Sequence, residues 1–201
     1  MKNLVILGTA RAGKSYLSKN VVGELSKNNH VVTLLPGDPL LGAVHKFSRN
    51  LLWKLGFRKI VHAVPWFERI HKKRLRKKFL GFSLYFIDHI EKDVIIVFEG
   101  VQIKPDEAVK IFDKNKYKLV IVGYPNISVE QKIKEIRQFD KHSYISNKSD
   151  KELSSMFSAH ITESKQYYEF AKKHNITFLD TSKNYQKTIK EFAKNICDFL
   201  K

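Results

Sequence analysis

Residues 8–15 read Gly-Thr-Ala-Arg-Ala-Gly-Lys-Ser, a complete G-x-x-x-x-G-K-[ST] pattern. Residue types at this spacing cradle a polyphosphate. The glycines let the backbone turn so that successive N–H groups point at phosphate oxygens, the lysine reaches the terminal phosphates, and the hydroxyl ligates Mg²⁺. Gly8, Thr9, Ala10, Arg11, Ala12, Gly13, Lys14 and Ser15, with the following Tyr16, are therefore expected to hold a nucleoside triphosphate. Lys14 acts on the phosphates and Ser15 on the metal. The flanks suit the motif. Leu4-Val5-Ile6-Leu7 reads as a buried strand, and Leu17, Val21, Val22 and Leu25 have helical spacing. The helix adds the positive end of its dipole.

Four further positions carry candidate chemistry. Asp38 stands in Pro36-Gly37-Asp38-Pro39 after a second strand. A carboxylate there can orient or deprotonate an acceptor hydroxyl, although Gly-Asp-Pro is also an ordinary turn sequence. Glu99 ends the apolar run 94–98, where an acid can hold Mg²⁺ or touch the acceptor, or be a strand-end charge. Arg137 is expected to close over the charge of the transferring phosphoryl group. Its neighbours Lys132, Lys134 and Lys141 read equally well as a solvated face. Thr181 follows the last strand, where the loop either contacts the nucleotide base or caps a helix through Thr181 or Ser182.

Other patterns carry less. Asn147-Lys148-Ser149-Asp150 matches the N-K-x-D guanine signature, but no apolar strand precedes it. Glu99-Gly100 stands where a GTPase has D-x-x-G, so the match reads as coincidence. The eight histidines show no metal-ligand spacing. Cys197 is the single cysteine, which excludes an internal disulfide and fits a reducing, cytoplasmic compartment.

These residues need a frame. Strands are expected at 4–7, 31–35, 94–98, 119–122 and 176–179, alternating with helices, several of them too apolar to face solvent. This predicts an α/β fold: a five-stranded parallel sheet in a three-layer α/β/α sandwich. In such sheets ligands bind outside the carboxyl ends of the strands, which brings 8–15, 37–38, 99–100 and the turn after Leu179 together. One domain is expected: a core of 1–38, 93–139 and 155–201, a helical insert at 39–92, and a polar lid at 140–154. Leu75, Phe79, Phe82, Phe86 and Ile90 imply a long helix inside the insert.

The 201 residues suit one substantial core, and no run approaches the length of a membrane span. Met1-Lys2-Asn3 runs straight into the first strand, so no cleaved signal is expected. The net charge of +17 is uneven, with twelve Lys/Arg and one acid, Glu68, between Lys46 and Lys78. That stretch reads as solvated helix faces, as a positive cap attracting an anionic substrate, or as a surface for nucleic acid or anionic lipid.

The order of these segments resembles the nucleoside and nucleotide kinase group of P-loop phosphotransferases. Leu4–Ser15, then Gly37-Asp38-Pro39-Leu40-Leu41-Gly42-Ala43-Val44, Phe98-Glu99-Gly100-Val101 and Phe178-Leu179-Asp180-Thr181-Ser182 fall in that family's order. Gly37-Asp38 looks like the acceptor-site start of adenylate kinases. The two arginines by which adenylate kinases grip an acceptor monophosphate are replaced by Leu41 and by Val101-Gln102-Ile103. The remaining pattern resembles small-molecule hydroxyl kinases and zeta-toxin-like kinases. The resemblance implies an ATP- and Mg²⁺-dependent kinase acting on a small, anionic or nucleotide-like acceptor. The alternatives are a nucleoside monophosphate or polynucleotide 5′-hydroxyl kinase, and a nucleic-acid- or membrane-binding NTPase switch with no acceptor.

Overall fold

The computed structural model describes residues 1–54, 81, 85, 89, 93–100, 103–139 and 143–201. Five parallel strands form one sheet: β1 (Asn3–Gly8), β2 (Val31–Pro36), β3 (Val94–Glu99), β4 (Tyr117–Gly123) and β5 (Thr177–Asp180), in the order β2-β3-β1-β4-β5. The helices are α1 (Lys14–Lys27), α2 (Gly37–Lys54), α3 (Pro105–Ile111), α4 (Val129–Phe139), α5 (Asp150–Lys173), α6 (Tyr185–Lys194) and α7 (Ile196–Phe199). Among the described residues no helix is long and apolar enough to cross a membrane.

Alternation along each strand makes two cores. Leu4 and Ile6 of β1 pack with Leu17, Val21 and Leu25 of α1 and with Ile189, Ala193, Ile196 and Leu200. Val5 and Leu7 point the other way, onto Phe98, Ala108, Phe112 and Ala171 beneath α3 and α5. The strands thus bury both faces, as a doubly covered parallel sheet requires. The three-layer α/β/α expectation holds.

Strand register places the chemistry. Ile6 pairs with Glu99, and Pro36 pairs with Glu99 from the other side. The loop after β1, the Glu99-Gly100 turn and the Gly37-Asp38 start of α2 therefore emerge side by side. β1 sends its chain outward to β2, while β3 feeds β4 on the far side, so the crevice beside β1 and β3 is the topological switch point.

Two boundaries differ from expectation. Pro36-Gly37-Asp38-Pro39 is not a free turn: α2 begins at Gly37, and Asp38 occupies its first turn. Proline is tolerated in a first helical turn because its missing N–H would be unpaired there anyway. Residues 143–154 are more ordered than a polar loop. A 3-10 turn runs from Tyr144 to Asn147, and α5 starts at Asp150 rather than near Ser155. Ser149 and Glu152 form a reciprocal capping box at that start. Ile145 is buried against Ile136, Leu153 and Phe157, so the segment has a small core of its own. The expected helix over 75–90, the basic stretch beyond Lys54, and Asp140 to His142 lie outside the described residues.

Candidate active site

The loop after β1 has a backbone that few residues could adopt. Gly8 has φ of 134°, and a Cβ there would stand 1.9 Å from the carbonyl oxygen of Val122. Only glycine lets β1 run this close to the end of β4. Thr9 N–H donates to Val122 O at 3.1 Å, and Arg11 takes the left-handed conformation with φ of 61°. Gly13, at φ of 94°, is the N-cap of α1. That end has no side-chain cap and no acid in its first turn, whereas α5 carries a capping box and α6 is capped by Asn184 Oδ1. The first-turn N–H groups of α1 are thus left for an anion.

Beside this loop lies a cavity of about 480 Å³, lined by the whole stretch Ala10–Tyr16 together with Asp38, Glu99, Lys132, Glu135, Ile136, Phe139 and Tyr185. Lys14 Nζ donates to Thr9 O at 2.8 Å and is nearly buried. Burial lowers its pKa to about 8; Asp38, Glu99 and Glu163 oppose that shift, and Arg11 adds to it. Ser15 Oγ lies 3.2 and 3.3 Å from the two carboxylate oxygens of Glu99. Glu99 is 6% exposed, and its burial raises its pKa above the ordinary carboxylate range. Asp38 stands over Gly100, where an added Cβ would meet its Oδ1 at 3.3 Å.

The structure thus brings together Ala10, Arg11, Ala12, Gly13, Lys14, Ser15, Tyr16, Asp38 and Glu99. Gly8, Thr9 and Thr181 are not in the lining; they form the floor under the loop. The Thr181 hydroxyl is within hydrogen-bonding reach of the carbonyls of Ala12 (3.1 Å) and Gly123 (3.0 Å), so its side chain supports the loop. Helix α6 is capped by Asn184, not by Thr181 or Ser182; Ser182 Oγ instead accepts from Asn126 N–H at 2.9 Å.

Arg137 stands apart from the cavity. Its guanidinium donates to Ser146 O, to Lys148 O at 2.7 Å and to Asp150 Oδ1 at 2.7 Å, which pins the segment before α5 to α4. Lys132 is the α4 cation that faces inward. It is 5% exposed, pairs with Glu135 Oε2 at 3.1 Å, and lies 4.3 Å from the ring centre of Tyr124. The Tyr124 hydroxyl donates to Ala10 O at 2.8 Å and its N–H donates to Ser164 Oγ at 2.6 Å. Burial raises the Tyr124 pKa well above the usual phenol range, so the hydroxyl stays a donor. The signal for Lys132 was its spacing: Lys132, Ile136 and Phe139 recur at i, i+4 and i+7 on one helical face. Arg11 reaches outward to Ser143 Oγ at 3.0 Å, linking the loop to the segment before α5.

Asn147-Lys148-Ser149-Asp150 is built into the start of α5. Asn147 ends the 3-10 turn, Ser149 is a helix N-cap and Asp150 opens α5. Ile103 is buried in the core and Leu41 is half-buried, while Val101 and Gln102 lie outside the described residues. Among the described residues no group of three or more His, Cys, Asp or Glu is placed to hold a metal.

The sheet order and the glycine-rich turn into an uncapped helix define a three-layer α/β/α fold of the P-loop type. Comparison with solved structures agrees: the chain is similar to a gluconokinase from Sinorhizobium meliloti 1021, with a TM-score of 0.52 and 12% identity over 99% of this chain and 93% of that one. A shikimate kinase from Bacteroides thetaiotaomicron aligns over 99% of this chain and 98% of that one, with 14% identity and a TM-score of 0.48. No protein-family model and no curated protein matches the chain.

Proposed function

We propose that this protein is an ATP-dependent kinase that transfers the γ-phosphate to a hydroxyl or phosphate of a small, anionic or nucleotide-like acceptor. One observation carries the reading: Lys14, Ser15, Asp38 and Glu99, from three separate segments, meet on one cavity at the uncapped start of α1.

The chain's own groups divide the work. The loop amides and the first turn of α1 receive the phosphate oxygens. Lys14, held on Thr9 O in the free protein, turns its ammonium to the β- and γ-phosphates. Ser15 Oγ and the Glu99 carboxylate are adjacent oxygen donors, a pair that fits a hard cation such as Mg²⁺. A Mg²⁺ ion held by these two groups would neutralise the negative charge that builds on the phosphates. For a hydroxyl acceptor, the Asp38 carboxylate on the cavity wall accepts the hydroxyl proton as the acceptor oxygen bonds to the γ-phosphorus. The bond from that phosphorus to the β–γ bridging oxygen breaks, and ADP leaves with that electron pair. Thr181 and Tyr124 keep the loop in its bound shape.

The test is a transfer screen with γ-labelled ATP over nucleosides, nucleotides, sugars and oligonucleotides. A labelled product that requires Lys14 supports the kinase. ATP turnover at the same rate with and without every acceptor would instead indicate an NTPase switch.

A further inference from the structure

The cation that α4 presents to the cavity is Lys132, while Arg137 donates to Lys148 O and Asp150 Oδ1. The placement of Lys132 is unusual for a lysine. Taking an ammonium out of water is costly unless partners replace the lost solvent. Here the partners are Glu135 at 3.1 Å and the face of Tyr124 at 4.3 Å. An ammonium has three N–H donors, so this pairing leaves capacity for a ligand oxygen. The residue borders the same cavity as Ala10–Ser15, on the wall formed by α4. It is also coupled to the loop, because the ring beneath it donates its hydroxyl to Ala10 O.

We propose that Lys132 is a direct phosphate contact for the bound nucleotide, a second cation on the cavity that Lys14 also lines, with Glu135 holding it in place until the phosphates arrive. The proposal rests on the kinase reading for the identity of the ligand. On binding, the ammonium exchanges part of its pairing with Glu135 for a phosphate oxygen, and no bond is made or broken. Lys132 thus supplies from the middle of α4 a charge that Arg137, committed to Ser146, Lys148 and Asp150, does not supply.

The experiment measures binding of ATP, tripolyphosphate and adenosine to the full chain and to Lys132→Met, Lys132→Arg, Glu135→Gln and Lys14→Ala, by calorimetry and, for adenosine, by ligand-observed NMR. A charge-assisted hydrogen bond of the usual strength predicts that K132M weakens ATP and tripolyphosphate about ten- to a hundredfold and leaves adenosine unchanged. K132R, which keeps the charge, stays within about threefold of the wild type on the same scale. E135Q, which removes a negative charge beside the phosphates and frees the ammonium, binds ATP a few-fold more tightly, roughly the effect of one screened charge pair.

Equal loss for adenosine and for tripolyphosphate would mean that Lys132 only braces Tyr124, and would overturn the proposal. So would K132M binding ATP as the wild type does while K14A does not, an outcome that leaves the kinase reading standing. If the wild type binds neither ATP nor tripolyphosphate, the kinase reading and this proposal fall together. Should K132M fail to fold, Lys132→Gln takes its place: a loss confined to ATP and tripolyphosphate supports the phosphate contact, and unchanged affinity for both refutes it.

Discussion

Ser15 and Glu99, eighty-four positions apart in the chain, stand with Oγ and Oε1 at 3.2 Å. The parallel register that pairs Ile6 with Glu99 makes this contact, because it brings the end of β3 beside the turn that follows β1. A hydroxyl on a buried carboxylate is a pair of hard oxygen donors at the mouth of the phosphate loop. The proposed division of labour starts there.

Replacement of Lys14 by alanine removes the cation proposed to hold the phosphates. Loss of one preorganised electrostatic partner costs about 10²–10³ in turnover. K14A is expected to lose transfer by at least that factor and to bind ATP weakly, read by labelled transfer and calorimetry. Wild-type turnover in this variant would exclude the assignment.

Asp38→Asn separates acceptor from donor chemistry. The carboxylate lines the cavity beside Gly100. Transfer to a hydroxyl acceptor should fall by about 10²–10⁴, the usual contribution of a positioned base, with ATP affinity unchanged. Loss of ATP binding with the loss of transfer would make Asp38 a structural residue.

Glu99→Gln tests a trade between stability and function. Burial raises the Glu99 pKa, so its charge weakens the folded state at pH 7, above the ordinary carboxylate range. The glutamine variant is expected to melt at a higher temperature without ligand and to lose the Mg²⁺ dependence of ATP binding. Melting curves with and without Mg²⁺–ATP read both effects; a lower melting temperature for the free variant would contradict the first.

Lys14 sets a pH limit on binding. Its folded-state pKa of about 8 lies below the ordinary 10.5 because burial disfavours the charge. The stability cost of that charge is fully present below pH 8 and disappears as pH rises from 8 to 10.5. Phosphate favours the charged form, so binding above this pKa takes up a proton, and affinity falls by up to about tenfold per pH unit. Calorimetry in two buffers of different ionisation heat measures the uptake; a flat affinity from pH 7 to 9.5 would contradict it.

Gly8→Ala forces a Cβ to 1.9 Å from Val122 O at a φ of 134°. The variant is expected to lose on the order of 3 kcal/mol or more of stability, or to fail to fold, because both the clash and the backbone strain act on the same residue. Urea unfolding measures it, and a loss below about 1 kcal/mol would mean that the loop relaxes freely.

Much of the fold was legible because its signals are local. Apolar runs such as 4–7 and 119–122, separated by helical spacing, announce a parallel sheet without any tertiary information. The start of α5 was readable as well, since Ser149 and Glu152 have capping-box spacing, yet the polar composition of 140–154 hid it. Helix α2 was less readable, because Gly37-Asp38-Pro39 serves a turn and a helix start equally well.

By itself the sequence determined the phosphate loop, since the eight residues that form it are contiguous and their backbone demands are local. It also determined the class of sheet, through the period of its apolar residues. Only the tertiary structure decided which distant side chains share the cavity. Lys132 and Arg137 lie five positions apart on one helix, and the sequence favoured Arg137. Helix rotation turns Lys132 toward Tyr124 and the loop, and turns Arg137 toward Ser146 and Asp150. Thr181 likewise reads as a nucleotide contact or a cap until the pairing of Gly123 with Asp180 places its hydroxyl under Ala12. Register and helix phase are properties of packed elements, so a residue's own neighbours in sequence cannot specify them.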